Sequence, residues 1–367
     1  MNNFKKVGLT ALAGSLVAFS GHAGELTVTG GANLTYKTGN VDPMSNVSGK
    51  GFGADKDVAF TGNGELDNGI TFSVFTATTD AQTDLSSGAI SISTPSFGSF
   101  LFGHNSGAAH YKYDEEVPQV YEQISDVSDS ILPANKVGDF MDNNHVTYTS
   151  PTFDLGGASI TFDVGYATDA NDKETGDGGT PGGTGTFGSG QEAGVTIAYD
   201  ALKLGFYGAE RENKTITAAG SDAVRDEFNG AWYVKYNFGP VQVGYSETYF
   251  DNGVSASGGP IATTTAKTLR GATMGGFFEG EQIGIAFNVN DNLSISYTES
   301  TETYDAQSNV KGGTEIADVD QEVEAIQVAY SMGGMSIKAY QMDWTNPGFR
   351  EDAADAKITE VALGLAF

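Results

Sequence analysis

The last eight residues, Glu360-Val361-Ala362-Leu363-Gly364-Leu365-Ala366-Phe367, set Val361, Leu363, Leu365 and Phe367 on one side of an extended chain that ends on an aromatic ring. This alternation has the period of a β-strand, whose successive side chains point to opposite faces. A soluble antiparallel sheet alternates too, but it has little use for a run that stops on an exposed Phe. The ending is expected to be the closing strand of a barrel seated in lipid.

The other end of the chain leads to the same expectation. Residues 1–23 carry Lys5 and Lys6, then an apolar stretch from Val7 to Phe19, then small residues up to Gly21-His22-Ala23. That is the layout of a secretory signal peptide, with cleavage expected before Gly24. The apolar stretch is too short to cross a bilayer as a helix, which takes roughly 20 residues. An exported chain without an apolar helix enters a membrane only as a closed barrel, because an open sheet leaves backbone groups unpaired in lipid. The outer membrane is therefore the expected location, and residues 24–367 are expected to form one transmembrane domain.

Composition fits this reading. The mature chain carries 17 Lys and Arg against 47 Asp and Glu, a balance that argues against nucleic acid as a partner. There is no Cys, so no disulfide framework holds the fold. The 22 Phe and 16 Tyr suit the aromatic girdles of a barrel. Tyr36, Phe97, Tyr148, Tyr166, Tyr199, Phe238, Tyr249 and Tyr297 fall near expected strand ends. Strands favour aromatic residues anyway, so the accumulation carries the argument and no single ring does.

Strands and turns can be followed along the chain. Leu26, Val28, Gly30, Ala32, Leu34 and Tyr36 alternate with Thr27, Thr29, Gly31, Asn33, Thr35 and Lys37. Short turns are expected at Asp67-Asn68-Gly69, Thr94-Pro95-Ser96, Asp200-Ala201, Phe238-Gly239-Pro240, Asn290-Asp291-Asn292 and Gly333-Gly334. Between them lie long polar connections at about 38–54, 104–142, 168–190, 211–226, 250–280, 304–321 and 346–356, with a shorter link near 80–87. The fold class that follows is all-β: a transmembrane antiparallel barrel of about sixteen strands, with short periplasmic turns and long external loops. Leu269 to Phe278 is expected to belong to a loop, because a seventeenth strand would leave the chain ends on opposite rims.

Several enzyme and ligand motifs fail on geometry. His145 and Ser150 are five residues apart on a strand, so they point to opposite faces and cannot act as base and nucleophile. His104, His110 and His145 lack the spacing of a metal site. Gly183-Thr184-Gly185-Thr186-Phe187-Gly188 matches a dinucleotide-binding pattern but has no following helix. Asp169-Ala170-Asn171-Asp172-Lys173 begins like a calcium loop, yet Lys173 and Glu174 stand where an acceptor and a Gly are needed. No catalytic residue, metal or cofactor is expected.

Four stretches together resemble the trimeric general porins of Gram-negative bacteria: Glu25-Leu26-Thr27-Val28-Thr29-Gly30, Leu66-Asp67-Asn68-Gly69-Ile70-Thr71-Phe72, Asp142-Asn143-Asn144-His145-Val146-Thr147-Tyr148-Thr149-Ser150-Pro151, and the terminal Phe367. Phe367 also resembles the signal that such barrels offer to the barrel-assembly machinery, although Ala362 stands where Gly is usual. The resemblance implies a water-filled barrel of sixteen strands, a homotrimer in contact with outer-membrane lipid and lipopolysaccharide, and a third external loop folded into the pore. It also implies passive diffusion of small hydrophilic solutes and ions.

The connection 104–142 is the expected third loop. Its acids are Asp114, Glu115, Glu116, Glu122, Asp126, Asp129, Asp139 and Asp142, against Lys112 and Lys136. A solvated loop can be acidic without any role; as a group these residues would make a negative eyelet. Relatives often carry an Arg cluster on the facing wall. Here Arg211, Arg225, Arg270 and Arg350 fall in expected loops or at strand ends, and His145 stands where an Arg is common. The candidate basic lumen residues are instead Lys37, Lys203, Lys235 and Lys338. Weak to moderate cation preference is expected. The alternatives are a substrate-specific porin for a sugar, organic acid or phosphate, and a non-conducting structural or adhesive surface barrel.

Overall fold

The computed structural model describes residues 24–42, 47–66, 68–78, 85–114, 116–124, 137–142, 144–170, 187–214, 226–251, 253, 277–305, 318–349, 351 and 354–367. Its strands are β1 (Glu25–Asp42), β2 (Val47–Glu65), β3 (Thr71–Thr78), β4 (Leu85–Thr94), β5 (Gly98–His104), β6 (His145–Thr149), β7 (Phe153–Leu155), β8 (Ala158–Ala167), β9 (Phe187–Tyr199), β10 (Leu202–Asn213), β11 (Glu227–Phe238), β12 (Val241–Asp251), β13 (Phe277–Asn290), β14 (Leu293–Asp305), β15 (Val319–Met332), β16 (Met335–Thr345) and β17 (Ala356–Ala366). Both β6 and β7 pair with β8, so they are two halves of one strand. The break falls at Ser150-Pro151-Thr152, where Pro has no N–H to give. Counted this way, the sheet is a closed antiparallel barrel of sixteen strands.

Closure runs along β1 and β17, from Gly31 opposite Ala366 to Gly39 opposite Ile358. The C-terminal residue takes part: the Phe367 N–H donates to the Gly30 carbonyl at 3.0 Å, and the Gly30 N–H donates back at 2.8 Å. A barrel needs this seam, since an unpaired backbone group in lipid costs several kcal/mol.

Alternation decides what faces where. In β15, Val319, Gln321, Val323, Ala325 and Gln327 are buried inside the barrel, while Glu322, Glu324, Ile326 and Val328 are exposed outward. Ile326 keeps 61% of its surface exposed and Phe367 66%; in water such a wall would aggregate, and in lipid it is solvated. The apolar clusters therefore lie inside the barrel. One joins Tyr113, Phe140 and Met141 to Tyr207 and Tyr233, and another packs Ile124 against Val323, Met342, Trp344 and Ile358. A third is aromatic: Phe278 stacks on Tyr304 at 4.7 Å and meets Phe349 at 5.3 Å.

Two boundaries differ from the sequence reading. The expected connection at 38–54 is largely strand: β1 runs to Asp42 and β2 starts at Val47, with Tyr36 opposite Phe52 and Lys37 opposite Gly51. Gly49, Gly51 and Gly53, with Lys50 between the first two, break the apolar alternation, but backbone pairing needs no apolar side chain. Phe277 and Phe278 belong to β13 and not to a loop, paired with Asp251 and Phe250. Residues 269–276 lie outside the described residues, as does the expected signal segment.

Candidate functional site: the third loop inside the pore

After β5 the chain turns into the barrel and follows its inner wall. The first anchor is Glu192 on β9, only 3% exposed. Its carboxylate accepts the Ala109 N–H at 2.8 Å, the His110 N–H at 3.2 Å and the Tyr207 hydroxyl at 2.9 Å. The two backbone donors belong to the short 3-10 turn Ala109–Lys112, whose first N–H groups have no partner within the turn. Tyr113 stacks on Tyr207 with centroids 5.4 Å apart. Its ring fits the wall because Gly194 has no side chain there.

A second anchor ties the two ends of the loop together. His110 Nε2 lies 3.2 Å from Asp142 Oδ1, and His110 Nδ1 lies 3.8 Å from Asp114 Oδ2. The Tyr111 hydroxyl donates to Asp142 Oδ2 at 2.6 Å, and the Asn105 N–H donates to the Asp142 carbonyl at 2.9 Å. Burial by itself would push the His110 pKa down. The charges of Asp142 and Asp114 outweigh it and hold the imidazolium well above the ordinary histidine range. Beside this clasp, Asp163 on β8 accepts from Lys112 and, at 2.9 Å, from the Tyr113 hydroxyl.

The loop then passes strand by strand around the wall. Lys235 on β11 pairs with Glu116. Pro118 sits over Gly244 on β12 and Gly284 on β13, which face each other across the ladder. The Val120 N–H donates to Ser296 Oγ on β14 at 3.2 Å. Gln327 on β15 accepts the N–H groups of Tyr121 and Glu122 at 2.8 and 3.0 Å and donates to the Glu122 carbonyl at 2.7 Å. The Tyr121 hydroxyl reaches Glu360 on β17 at 2.5 Å. A backbone without regular structure is tolerated at membrane depth where protein and pore water satisfy it.

Among the acids singled out from sequence, Asp114, Glu116, Glu122, Asp139 and Asp142 are in the described loop, while Glu115, Asp126 and Asp129 lie outside the described residues. Asp114, Glu116 and Asp142 are engaged with His110, Lys235 and Tyr111 as given above. Lys37, Lys203, Lys235 and Lys338 all lie on the inward phase of their strands. Lys203 stands directly opposite Lys235, and both ammonium groups lie over the Tyr233 ring, at 5.5 and 5.2 Å. Lys338 lies 5.4 Å from the Tyr121 ring. The hydroxyl of Ser150 is used locally, accepting the Phe162 N–H at 2.9 Å.

Sequence reasoning missed Glu192, Asp163, Gln327, Glu360 and Arg211. Arg211 is a wall residue of β10: its Nε donates to Glu227 at 2.9 Å, its Nη1 to the Ala170 carbonyl at 2.8 Å, and its guanidinium lies 3.4 Å from the Phe187 ring centroid. A signal for Glu192 was present, since it is the one acid in the inward series Gly188, Gly190, Glu192, Gly194 of β9. An acid among glycines on a buried face points to backbone donors close by.

The sequence profile of the Gram-negative porins matches residues 8–367. No protein with a curated description matches the chain in sequence. Among solved structures, the anion-selective porin from Comamonas acidovorans is similar over 94% of this chain and 99% of its own, with a TM-score of 0.65 at 14% identity. OmpF of Salmonella typhi, in complex with daunomycin, covers 94% and 98% with a TM-score of 0.65 at 12% identity. OmpT of Vibrio cholerae covers 95% and 99% with a TM-score of 0.62 at 14% identity. At these identities the likeness is one of fold. Taken with the profile match and the closed barrel, it shows that the chain belongs to the Gram-negative porin family and forms an outer-membrane channel.

Proposed function

We infer that the protein is a homotrimeric channel through which small hydrophilic solutes and ions diffuse passively, with a weak preference for cations. The observation that carries the cation preference is the way lumen charges are held. Lys112, Lys235 and Arg211 are matched by Asp163, Glu116 and Glu227, whereas Lys203 and Lys338 lie over the rings of Tyr233 and Tyr121 and keep the preference weak. Glu192 and Glu360, by contrast, accept from neutral N–H and hydroxyl groups, which orient a carboxylate without cancelling its charge. Acids on outer loop tips matter less, because the Debye length at physiological salt is about 8 Å. Charges near the narrow section set selectivity.

Two observations support the trimer. OmpT of Vibrio cholerae, similar in fold, is described in a trimer form. The wall is also low on one side: β3 and β5 have 8 and 7 residues against 18 in β1. Short strands suit contact with a neighbouring barrel better than a full bilayer, which takes roughly 9–11 residues per strand. Phe367, placed on the closing seam, is proposed as part of the signal for the barrel-assembly machinery.

Reversal potential in a KCl gradient tests the charge argument. The wild type is expected to reverse on the cation side, and Lys235→Gln further to that side because it leaves Glu116 without its ammonium partner. An anion-side reversal, or a shift of the variant toward anions, contradicts the reading.

A further inference from the structure

His104, His110 and His145, three of the four His in the chain, stand where the third loop leaves β5 and returns to β6. The side chain whose ordinary titration falls near neutral pH is thus gathered at the neck of this loop. His110 is set between the loop's two ends. Asp142, from the returning end, lies 3.2 Å from its Nε2, and Asp114, from the outgoing end, lies 3.8 Å from its Nδ1. The residue is 1% exposed, and its ring packs on Tyr111 with centroids 4.1 Å apart. Gly138, at φ 78°, lets the returning end close on it: a Cβ there would come within 2.4 Å of both the His110 Cβ and the Tyr207 hydroxyl. The His145 ring lies against Gly103 of β5 instead.

Carboxylates beside both nitrogens suit one state of the ring. Imidazolium carries an N–H on each nitrogen, whereas neutral imidazole keeps one and presents a lone pair at the other. Loss of the proton therefore sets a lone pair against Asp142 or Asp114, whichever tautomer forms. The surrounding charge acts in the same direction. Glu192 of β9, which also holds the Tyr207 hydroxyl, accepts the His110 N–H at 3.2 Å. Asp139 belongs to the same short turn as Asp142. Two bases of this region are engaged elsewhere, Lys112 with Asp163 of β8 and Arg211 of β10 with Glu227. The Tyr111 phenol is pushed up by its burial and by Asp142, so it stays a protonated donor.

We propose that the His110 imidazolium is a proton latch joining the two ends of the third loop, and that alkaline media release the turn Ala109–Lys112 toward the pore. Burial opposes the charge on the ring, but Asp142 and Asp114 outweigh it. The stability this adds is complete below the ordinary histidine value and is lost as the pH rises through the raised one. Without the proton, Asp114, Asp139, Asp142 and Glu192 keep their charges around a neutral ring, and the two ends of the loop repel each other. The strand ladders take no part in the latch, so the barrel stays closed while the loop moves. The inference concerns the loop's hold on the wall and is independent of ion preference.

The purified oligomer is recorded in planar bilayers between about pH 6 and about pH 10, from the ordinary histidine to the ordinary tyrosine range. Limited proteolysis near residues 109–114 is followed in parallel and needs no current. Open-channel noise and cleavage of the wild type are expected to rise together at the alkaline end. The released population should climb about tenfold per pH unit, as for one proton. His110→Gln is expected to show at every pH the noise and cleavage of the alkaline wild type, with heat-modifiable migration unchanged. Asp142→Asn, which removes one of the two flanking charges, should fold alike and move the step down by about one to three pH units. A wild type that stays quiet and uncleaved across the whole interval overturns the proposal. So does a step that survives in His110→Gln, which would assign it to another group, or one that Asp142→Asn leaves in place.

Discussion

Replacing Glu192 by Ala is expected to release the start of the third loop from the wall while leaving the barrel folded. The carboxylate is buried and accepts two backbone N–H groups and the Tyr207 hydroxyl. A buried donor left without its partner costs about 1–3 kcal/mol, so three of them amount to several kcal/mol concentrated on one turn. Barrel strands pair through their own ladders and do not depend on this acid. The expected results are higher open-channel noise in planar bilayers and new protease cleavage near residues 109–114. Heat-modifiable migration should be that of the wild type. Glu192→Gln should lie between, since its amide keeps one oxygen acceptor but presents N–H groups where acceptance is needed. A quiet, protease-resistant Glu192→Ala channel would show that the other anchors suffice.

Gly284→Val makes the opposite kind of change farther along the loop, at Pro118. A Cβ on Gly284 would lie 2.8 Å from the Pro118 carbonyl oxygen and 3.1 Å from its nitrogen. Backbone atoms cannot turn aside as a flexible side chain can, so the loop must move toward the pore axis. Overpacking of this sort costs about 1–3 kcal/mol, while Val is a favoured strand residue and should leave β13 intact. Single-channel conductance is expected to fall, with the oligomer unchanged on gels. Gly62→Val is the control, because a Cβ there meets nothing within 4 Å. Equal conductance for the two variants would contradict the loop path described here.

The contrast between these two sites explains what was readable from sequence. Period-2 alternation with apolar residues outward is imposed by lipid, so β17 and the first part of β1 could be followed residue by residue. Short turns were legible because Asn68-Gly69, Asp200 and Gly239 are residue types that accept a left-handed backbone; Asp200 has φ 51° and Gly239 φ 63°. The tall hairpin of β1 and β2 escaped because backbone pairing above the apolar band leaves no mark on side-chain alternation. Pore-lining residues were legible by phase, which put Lys37, Lys203, Lys235 and Lys338 inward, but phase says nothing of partners. That Lys235 meets Glu116, or that Gln327 holds Tyr121 and Glu122, depends on a loop crossing from one strand to another more than a hundred residues away. Phe349 is similar: a non-Gly residue at φ 57°, its ring is held among Phe278 and Tyr304 by packing that no local pattern announces.

The central claim is that the loop lies along the wall and leaves a water-filled passage, and single-channel recording of the purified oligomer in KCl tests it most directly. Stepwise openings of equal size, grouped in threes, are the predicted result. A folded, heat-modifiable barrel that inserts and passes no current would contradict it and point to a plugged surface barrel.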